Sequence, residues 1–384
     1  MIPFYLPKNK TLDSARGFTL IEVMVGLALA SLSMLVVLEI FSNSEARKRS
    51  TTGAAEAQQT ANVTIYQLGR ALRLSGAGLT QSNNLWGCPI QAYRSATQFL
   101  PAPAAFPAPF ASASVPTTVR LMPLLIVPGA APNGISDIVV TMSGNSEMGQ
   151  AELPMVGDPT AAGLSVRRSI GVKAKDLILM SNVSSISNCQ IAQVDTTYTS
   201  SVPNAIPLGS TGTNYNTAGG LAGTIYDLNS VALDLGNTPL FSMFGIDANN
   251  SLQQYDLLNL TGNPSTVIAE NVFDMRARYG VVDASGNGPI TWQSPSASGW
   301  ANTDLLAGTS AALALIDRIR AVRISIVFRT TETVAGASPP SSYVMFPDAS
   351  PITVSIPSAA QNYRYQVYDS VIPLRNLRFV PSRI

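Results

Sequence analysis

The chain has 384 residues, of which 46% are hydrophobic and only 12% are charged, and its formal net charge is +1. The low charged fraction, together with 28 glycines and 26 prolines, favours a loop-rich β protein over a helical bundle. The net charge close to zero supplies no overall electrostatic field that would attract nucleic acid. Histidine does not occur, which excludes a Ser-His-Asp triad, a Cys-His dyad and any zinc site with a histidine ligand.

The first element in chain order is a short basic leader followed by an apolar run. Residues 1–17 read MIPFYLPKNKTLDSARG and carry three basic side chains against one acidic side chain. In the following run, Phe18–Phe41, Glu22 is the only charge up to residue 38, and residues 18–38 would span about 31 Å as a helix, close to the hydrocarbon thickness of a membrane. A secretory signal is cut after its apolar run, whereas the suitable small residue here, Gly17, precedes it. We therefore predict that the leader is removed and the apolar helix is retained.

The residues around this cleavage site carry a family resemblance. The segment 16–22, RGFTLIE, followed by a long apolar run, resembles the class III signal of type IV prepilins and pseudopilins. The resemblance implies that a membrane-embedded prepilin peptidase cuts after Gly17 and N-methylates Phe18. It also implies a set of partners, namely the peptidase, other minor and major pilins and, before assembly, the inner membrane.

Glu22 is the candidate assembly residue. A carboxylate in an apolar membrane helix is costly to insert, so it needs a partner. The new amino group of Phe18 would lie about one helical turn away, and a neighbouring subunit would supply the same cation at the same depth. Pairing with that amine would hold subunits in register. The alternative is an interfacial acid that is favoured only by the dipole at the helix N-terminus.

A simple signal anchor also fits this segment. Basic residues flank the apolar run on both sides, with Arg47, Lys48 and Arg49 after it, so the positive-inside rule does not fix the orientation. A single pass with the C-terminal domain in the periplasm, and later in a pilus at the cell surface, therefore depends on the leader motif. A signal-anchored surface adhesin or binding protein is the alternative from another class, and it predicts no cleavage after Gly17.

The helical pattern continues beyond the apolar run. From Ala54 to Leu72, apolar or small residues recur at spacings of three and four and form one stripe, and a Ser-Gly-Ala-Gly cluster then ends the pattern. We predict one helix over 18–76 that is transmembrane over 18–41. The resemblance implies that its first half packs with other subunits and its second half lies on the protein's own sheet.

Residues 77–384 are predicted to form a β-rich globular domain, so the predicted fold class is α+β. Short apolar runs separated by Gly, Pro, Asn and Ser favour strands. The predicted strands are 119–127, 137–142, 176–180, 186–194, 225–235, 239–244, 253–260, 266–281, 320–330, 341–346, 352–356 and 362–372. Apolar and polar side chains alternate in 320–330, which predicts a half-buried strand. We expect a short helix in 303–317, an extended surface loop in 100–116 and a long loop in 196–224.

Two cysteines, Cys88 and Cys189, are too few for a zinc cage and too far apart for a CxxC pair. In an oxidising compartment they would form one disulfide, and the alternative is two buried free thiols. Acidic turns at Asp247 and Asp283 place oxygen atoms at short spacing, but neither turn matches an EF-hand, and Asp is an ordinary turn residue. We therefore predict no metal, no cofactor and no catalytic residue.

Three C-terminal segments extend the resemblance. Residues 271–279 (NVFDMRARY), 319–325 (IRAVRIS) and 371–377 (VIPLRNL) resemble PilW-type minor pilins, to which the J-type minor pseudopilins of type II secretion are close relatives. The resemblance implies a non-enzymatic subunit that helps to initiate or cap pilus assembly. The size of its domain, about 300 residues on a thin helix, favours the filament tip, because many copies would crowd a filament shaft. A J-type pseudopilin is the alternative within the same class. Arginines that cluster late in the chain leave contact with DNA, or with a surface ligand, as a further alternative.

Overall fold

The protein is described by a computed structural model that divides into two compact units, Met1–Thr52 and Gly53–Ile384, with the division inside one long helix. The described residues are 17–79, 85–95, 97–147, 152–182, 189–199, 204–209, 215–217, 220–221, 226–260, 262–286, 288–333 and 340–378. Residues 1–16, which form most of the predicted leader, lie outside them. The long helix is followed by a region rich in β-strands, which confirms the predicted α+β class.

Helix α1 (Leu20–Leu74) confirms the predicted N-terminal helix. Within the second unit its predicted apolar stripe is buried or half-buried, and Ala61, Leu68 and Leu72 belong to the main hydrophobic core of that unit. The helix ends where Gly76 adopts a positive φ of 79°, a conformation that glycine takes without steric cost. The amphipathic half of the helix therefore packs on the β-rich region of its own chain.

The described part of the second unit contains nineteen strands and two further short α-helices. In chain order they are β1 (Ile90–Arg94), β2 (Thr97–Leu100), β3 (Leu124–Val127), β4 (Ile138–Ser143), β5 (Glu152–Leu153), β6 (Gly163–Ser165), β7 (Leu177–Ser181), β8 (Cys189–Gln193), β9 (Ala205–Pro207), β10 (Val231–Gly236), β11 (Leu240–Ile246), β12 (Leu252–Asp256), β13 (Ser265–Ala269), β14 (Val272–Val281), β15 (Thr291–Gln293), α2 (Asn302–Leu305), α3 (Ser310–Ile316), β16 (Ile319–Arg329), β17 (Ser342–Met345), β18 (Ile352–Ser355) and β19 (Tyr365–Pro373). Short 3-10 helices span Ser358–Ala360 and Arg375–Arg378.

Most of these strands form three sheets. The strand orders are β2-β1-β8-β7-β10-β5, β13-β12-β11-β4-β3 and β15-β14-β16-β19, and β17–β18 and β6–β9 form two separate pairs. Among the described strands, β1 and β8 form the one parallel pair. The main core gathers residues of α1 and of all three sheets. A smaller core covers the second face of the first sheet and includes residues of β6 and β9, so that sheet is buried on both faces.

The prediction of a half-buried strand at 320–330 is wrong. Strand β16 occupies this position, but Arg323 and Ser325, which were expected to face solvent, are only 6% and 0% exposed. A separate core cluster of Val327 with residues of the β17–β18 hairpin covers this face, while the other face packs in the main core. The polar side chains of the alternation therefore lie in a covered layer, which strand periodicity cannot distinguish from a solvated one.

Two predicted elements are each divided in the structure. The predicted strand 266–281 is β13 and β14, because Asn271 between them takes a φ of 60°, and this left-handed conformation interrupts an extended chain. The predicted helix 303–317 is α2 and α3, separated at Gly308, whose φ is 67°. The other predicted strands are found with shifted ends, although residues 186–188 and 225 of two of them lie outside the described residues. Strands β1, β2, β5, β6, β9 and β15 were not predicted.

Both predicted loops contain large side chains that are buried in the structure. No helix or strand lies in 101–116, as predicted, yet Phe106 and Phe110 are 6% and 0% exposed. Both rings lie 5.6 Å from the ring of Tyr255. In the described part of 196–224, strand β9 forms and Tyr215 is buried. The prediction of a surface loop at 100–116 is therefore wrong for these aromatic anchors, whose large apolar area favours burial.

Candidate functional site

The predicted processing residues lie at the start of helix α1. Gly17 and Phe18 precede the helix and are exposed. The carbonyl of Thr19 accepts hydrogen bonds from the N–H groups of Glu22 (3.1 Å) and Val23 (3.2 Å), and its Oγ1 accepts from Glu22 N at 3.3 Å. Thr19 therefore caps the helix N-terminus, which is a favourable role for threonine, and the Gly17–Phe18 bond lies just outside the helix.

Glu22 lies in the first turn of the helix, one turn after Phe18. Its carboxylate has no ion pair and no hydrogen-bond donor among the described residues of the chain. The helix dipole favours an acid at this position, but in an apolar environment the carboxylate would still need a cation. The structure thus brings Gly17, Phe18 and Glu22 together at one helix end, while cleavage, methylation and pairing with an amine stay predictions.

The apolar run that follows is exposed along its whole length. From Phe18 to Phe41, every large apolar side chain has an exposed fraction between 48% and 81%. In the described part of the chain, α1 is the one helix that is long and apolar enough to cross a membrane, and none of that stretch is buried. Soluble proteins rarely expose an apolar surface of this extent, so the segment requires lipid or other protein chains around it.

Cys88 and Cys189 form a disulfide, which confirms the predicted pairing. Cys88 lies just before β1, and Cys189 is the first residue of β8, the parallel partner of β1. Their Cα atoms are 5.7 Å apart, and both residues are fully buried. A bond that closes a sequence separation of 101 residues stabilises the fold by roughly 4 kcal/mol in the chain-entropy account, and it fits an oxidising compartment.

A buried group of carboxylates links the second and third sheets. Asp137 accepts two main-chain N–H groups at 2.9 and 3.0 Å, and burial raises its pKa to about 6. Asp274 accepts the hydroxyls of Ser136 (2.7 Å) and Tyr343 (2.9 Å) and pairs with Arg276 Nε at 3.2 Å. A raised pKa can mark catalysis, but these oxygens are occupied by donors from three segments of the chain, which supports a structural role.

Two of the arginines considered for DNA contact are buried instead. Arg278 donates to the carbonyls of residues 349–350 at 2.5 and 2.6 Å, and Arg323 Nε donates to Asp369 at 3.0 Å while its Nη2 bonds Asp348. Their exposed fractions are 7% and 6%. Both guanidinium groups fasten the β17–β18 hairpin to the third sheet and are not available to a phosphate backbone, so the alternative of DNA contact is wrong for these two residues.

Both acidic turns considered as cation sites are engaged in hydrogen bonds of the fold, and at the second of them Asp283 Oδ1 accepts Ser285 Oγ at 2.6 Å. Asp247 Oδ1 accepts the N–H groups of Asn249 and Ser251 at 2.8 Å, and its Oδ2 accepts Gln253 Nε2 at 2.7 Å. This is the geometry of an Asx turn. Within the described ranges, no group of three or more His, Cys, Asp or Glu side chains could hold a metal ion.

A cleft beside the loop at residues 101–116 was not predicted from the sequence. Its volume is about 290 Å³, and its lining includes Arg94, Phe99 and Phe106. The guanidinium of Arg94 lies 5.3 Å from the ring centre of Phe99 and 5.2 Å from that of Tyr215, and its Nη2 donates to the carbonyls of residues 258–259. These residues are far apart in sequence, so only the tertiary structure brings them together, and the arrangement ties a loop to β1.

Two family models match the chain. Residues 12–38 match the prokaryotic N-terminal methylation motif, and residues 245–376 match the model described as type IV pilus-assembly protein W, PilW. The first match includes the Gly17–Phe18 bond and Glu22, and the second includes β12 to β19. No curated protein and no solved structure matches. The matches confirm the resemblance drawn from the sequence and support a type IV pilin-like protein that acts in pilus assembly.

Proposed function

We propose that this type IV pilin-like chain is a minor pilin that helps to initiate or cap a type IV pilus. One observation carries the proposal: a methylation motif with Gly17, Phe18 and Glu22 opens a helix whose apolar run has no covering partner among the described residues. A segment of this kind gains stability only when lipid or neighbouring subunits cover it. The chain is therefore proposed to act through assembly, without catalysis, as is general for pilus-assembly families.

Processing is the first step of the proposed mechanism. The prepilin peptidase cuts after Gly17, removes residues 1–17 and methylates the new amino group of Phe18. The mature chain then consists of the helix 18–76, transmembrane over 18–41, and the β-rich domain 77–384. Because cleavage falls before the apolar run, the mature subunit keeps its membrane helix until it enters the filament.

Pairing of Glu22 with an amine is the second step. Leaving this carboxylate unpaired in an apolar environment costs roughly 3 kcal/mol on insertion scales. The methylated amine of Phe18, from the same or a neighbouring subunit, removes that cost when the helices are in register. Subunits that are shifted along their axes leave the acid unpaired, so the pair selects one packing arrangement.

A position at the filament tip is the third part of the proposal. The β-rich unit has about 300 residues after the helix, and many copies of a domain of this size would crowd a filament shaft. The PilW match over residues 245–376 supports a role in pilus assembly. The apolar helix and the methylation motif fit an inner-membrane anchor with a periplasmic domain, and the disulfide fits that oxidising compartment.

Intact-mass measurement of the membrane-extracted protein, with and without the peptidase, tests the processing step. We expect a mature species that begins at methylated Phe18 when the peptidase is present, and the full-length chain when it is absent. A signal-anchored adhesin would retain residues 1–17 in both samples. A product trimmed beyond Phe41 would contradict the proposal, because the segment that carries it would then be lost.

Glu22→Ala tests the assembly step, with Glu56→Ala as the matched control because Glu56 is an exposed acid of the same helix outside the apolar run. We expect Glu22→Ala to be cleaved and methylated normally but to yield few surface pili, and Glu56→Ala to leave both unchanged. Normal piliation in Glu22→Ala cells would remove the role given to this carboxylate. If piliation is unaffected by deleting the chain while protein secretion fails, the J-type pseudopilin alternative replaces the minor pilin.

A further inference from the structure

Strand β19 is the longest free edge among the described sheets. It has nine residues, Tyr365–Pro373, and forms one edge of the sheet β15-β14-β16-β19. The opposite edge, β15, has three residues, and the edge strands of the other two large sheets have two to five. Short edge strands are one way in which proteins prevent unwanted pairing, and β19 lacks that protection.

The register of β19 shows which of its backbone groups point outward. β19 pairs with β16 over nine consecutive residues without a bulge. Beyond the two ends of this ladder, Thr330 N donates to Arg364 O and Leu374 N donates to Arg320 O. Hydrogen-bonded and non-hydrogen-bonded pairs alternate in an antiparallel ladder, so the even-numbered residues of β19 bond β16. The N–H groups of residues 365, 367, 369 and 371 therefore point away from the sheet, and none has an acceptor among the described residues.

The side chains along this edge are uncharged except for one acid at its centre. Val367 and Val371 are 37% and 53% exposed. Between them, Asp369 pairs with the buried Arg323, which Asp348 shares, so these three groups keep one net negative charge. The one proline of the strand, Pro373, stands at its end, and no lysine or bulge interrupts it. The one acid makes the edge selective, because it disfavours an acid on the partner strand and favours a neutral or basic residue there.

We propose that β19 binds an extended strand of a different pilin-like subunit, which adds to this sheet by β-augmentation. The outward N–H groups repeat every second residue, the spacing at which an extended partner chain presents its carbonyls. The partner strand carries apolar side chains at alternate positions, where they cover Val367 and Val371, and a neutral or basic residue opposite Asp369. This inference rests on the proposed function, because it names the kind of contact through which the minor pilin joins its neighbours.

The centre of the strand disfavours a second copy of the chain as the occupant. Asp369 is the middle residue of β19. Centred antiparallel pairing of two β19 strands places Asp369 directly against its copy, and parallel pairing in register does the same. Like charges opposite each other destabilise a sheet, and shifted registers leave part of the edge unpaired. A heterologous strand avoids both costs.

Photo-crosslinking in the full chain, in cells that make pili, tests the identity of the occupant. A photoreactive residue is placed at position 371 in one strain and, as a control, at position 344, because Val344 is similarly exposed and faces solvent from the β17–β18 hairpin, on the opposite side from the buried Tyr343 and Met345. We expect position 371 to give an adduct whose mass spectrum maps to a strand of another pilin-like subunit, and position 344 to give none. An adduct with the chain itself, equal adducts at both positions, or no adduct at position 371 would overturn the proposal.

Val367→Pro tests the hydrogen bonds directly, because it removes one outward N–H group at a position where a sheet edge tolerates proline. We expect about tenfold less adduct from position 371, the effect of losing roughly one to two hydrogen bonds, and a matching loss of pili. Val371→Lys, with Val344→Lys as its control, gives the same test without a backbone change if the proline variant does not fold. Normal adduct and piliation in both edge variants, in a strain where Glu22→Ala abolishes pili, would refute the edge contact while leaving the proposed function intact.

Discussion

The segment 20–52 and the unit 53–384 use apolar side chains in opposite ways. Leu32 and Leu68 lie on the same helix, yet Leu32 is 61% exposed and Leu68 is 1% exposed. Local helical geometry is the same in both places, so only the surroundings differ. In the second unit the sheets of the chain itself cover the helix, whereas the first presents its apolar surface on all sides. The apolar surface of the first unit therefore needs lipid or other protein chains to cover it.

Acidic side chains in the two units differ in the same way, because one is surrounded by hydrogen-bond donors of its own chain and the other is not. Asp274 is fully buried and accepts hydrogen bonds from two hydroxyls and an arginine, as a buried charge requires. Glu22 lies in an equally apolar stretch of sequence but has no such donor among the described residues. We propose that the amine of Phe18, from the same or a neighbouring subunit, supplies the missing partner.

Loss of the disulfide should have the greatest effect on stability, and it should affect only the β-rich unit. We expect Cys88→Ser with Cys189→Ser to lower the unfolding free energy of the β-rich unit by about 4 kcal/mol, since the closed loop is long. Denaturant unfolding of the full chain in detergent, with and without reductant, measures this loss. Membrane extraction, which depends on residues 20–52, should be unchanged. An equal unfolding midpoint for the reduced and oxidised chains would contradict the prediction.

Leucine-to-alanine substitutions at two positions of helix α1 test whether its two halves contribute differently to the stability of the fold. We expect Leu68→Ala to lower the unfolding free energy by about 3 kcal/mol, because it leaves a cavity in the main core. Leu32→Ala, its matched control, should leave that free energy unchanged, since Leu32 contributes to no core. Thermal unfolding of the full chain in detergent measures both. A similar loss for both variants would show that the first half of the helix also stabilises the fold.

Arg323 tests whether the covered polar layer of β16 is structural. We expect Arg323→Met to lower the unfolding free energy by about 2 kcal/mol, because the buried guanidinium, which pairs with both Asp348 and Asp369, is then lost. Arg70→Met is the control, since Arg70 is exposed on helix α1. Limited proteolysis should show earlier cleavage in the β17–β18 hairpin of the Arg323 variant. Equal cleavage rates for the two variants would argue against a fastening role.

The smallest expected effect is a pH dependence that is confined to the second unit. Burial raises the pKa values of Asp137 and Asp176 to about 6, from 3.8. Each carboxyl therefore holds more protons folded than unfolded between these values, and the unfolding free energy falls as pH rises through this window. We expect a stability higher by about 1 kcal/mol per group at pH 5.5 than at pH 7. Asp137→Asn should flatten this dependence and the exposed Glu56→Gln should not, as measured by thermal unfolding.

Elements whose signal is local could be predicted from the sequence. The apolar run, the motif at residues 16–22, the stripe from Ala54 to Leu72 and the α+β class all follow from neighbouring residues. A helix repeats every few residues, so its buried face can be read from spacing alone. The cysteine pair was predictable for a related reason, because only one pairing of two cysteines exists within the chain.

Which strand faces are covered and which strand edges are free depends on contacts between distant segments and could not be predicted from the sequence. The alternation in β16 predicted one solvated face, but the β17–β18 hairpin, which comes later in the chain, covers it. The free edge of β19 and the aromatic cleft at Arg94 likewise depend on segments that are far apart in sequence. Sheet partners are chosen by contacts between distant residues, whereas periodicity records only how a strand alternates along its own length.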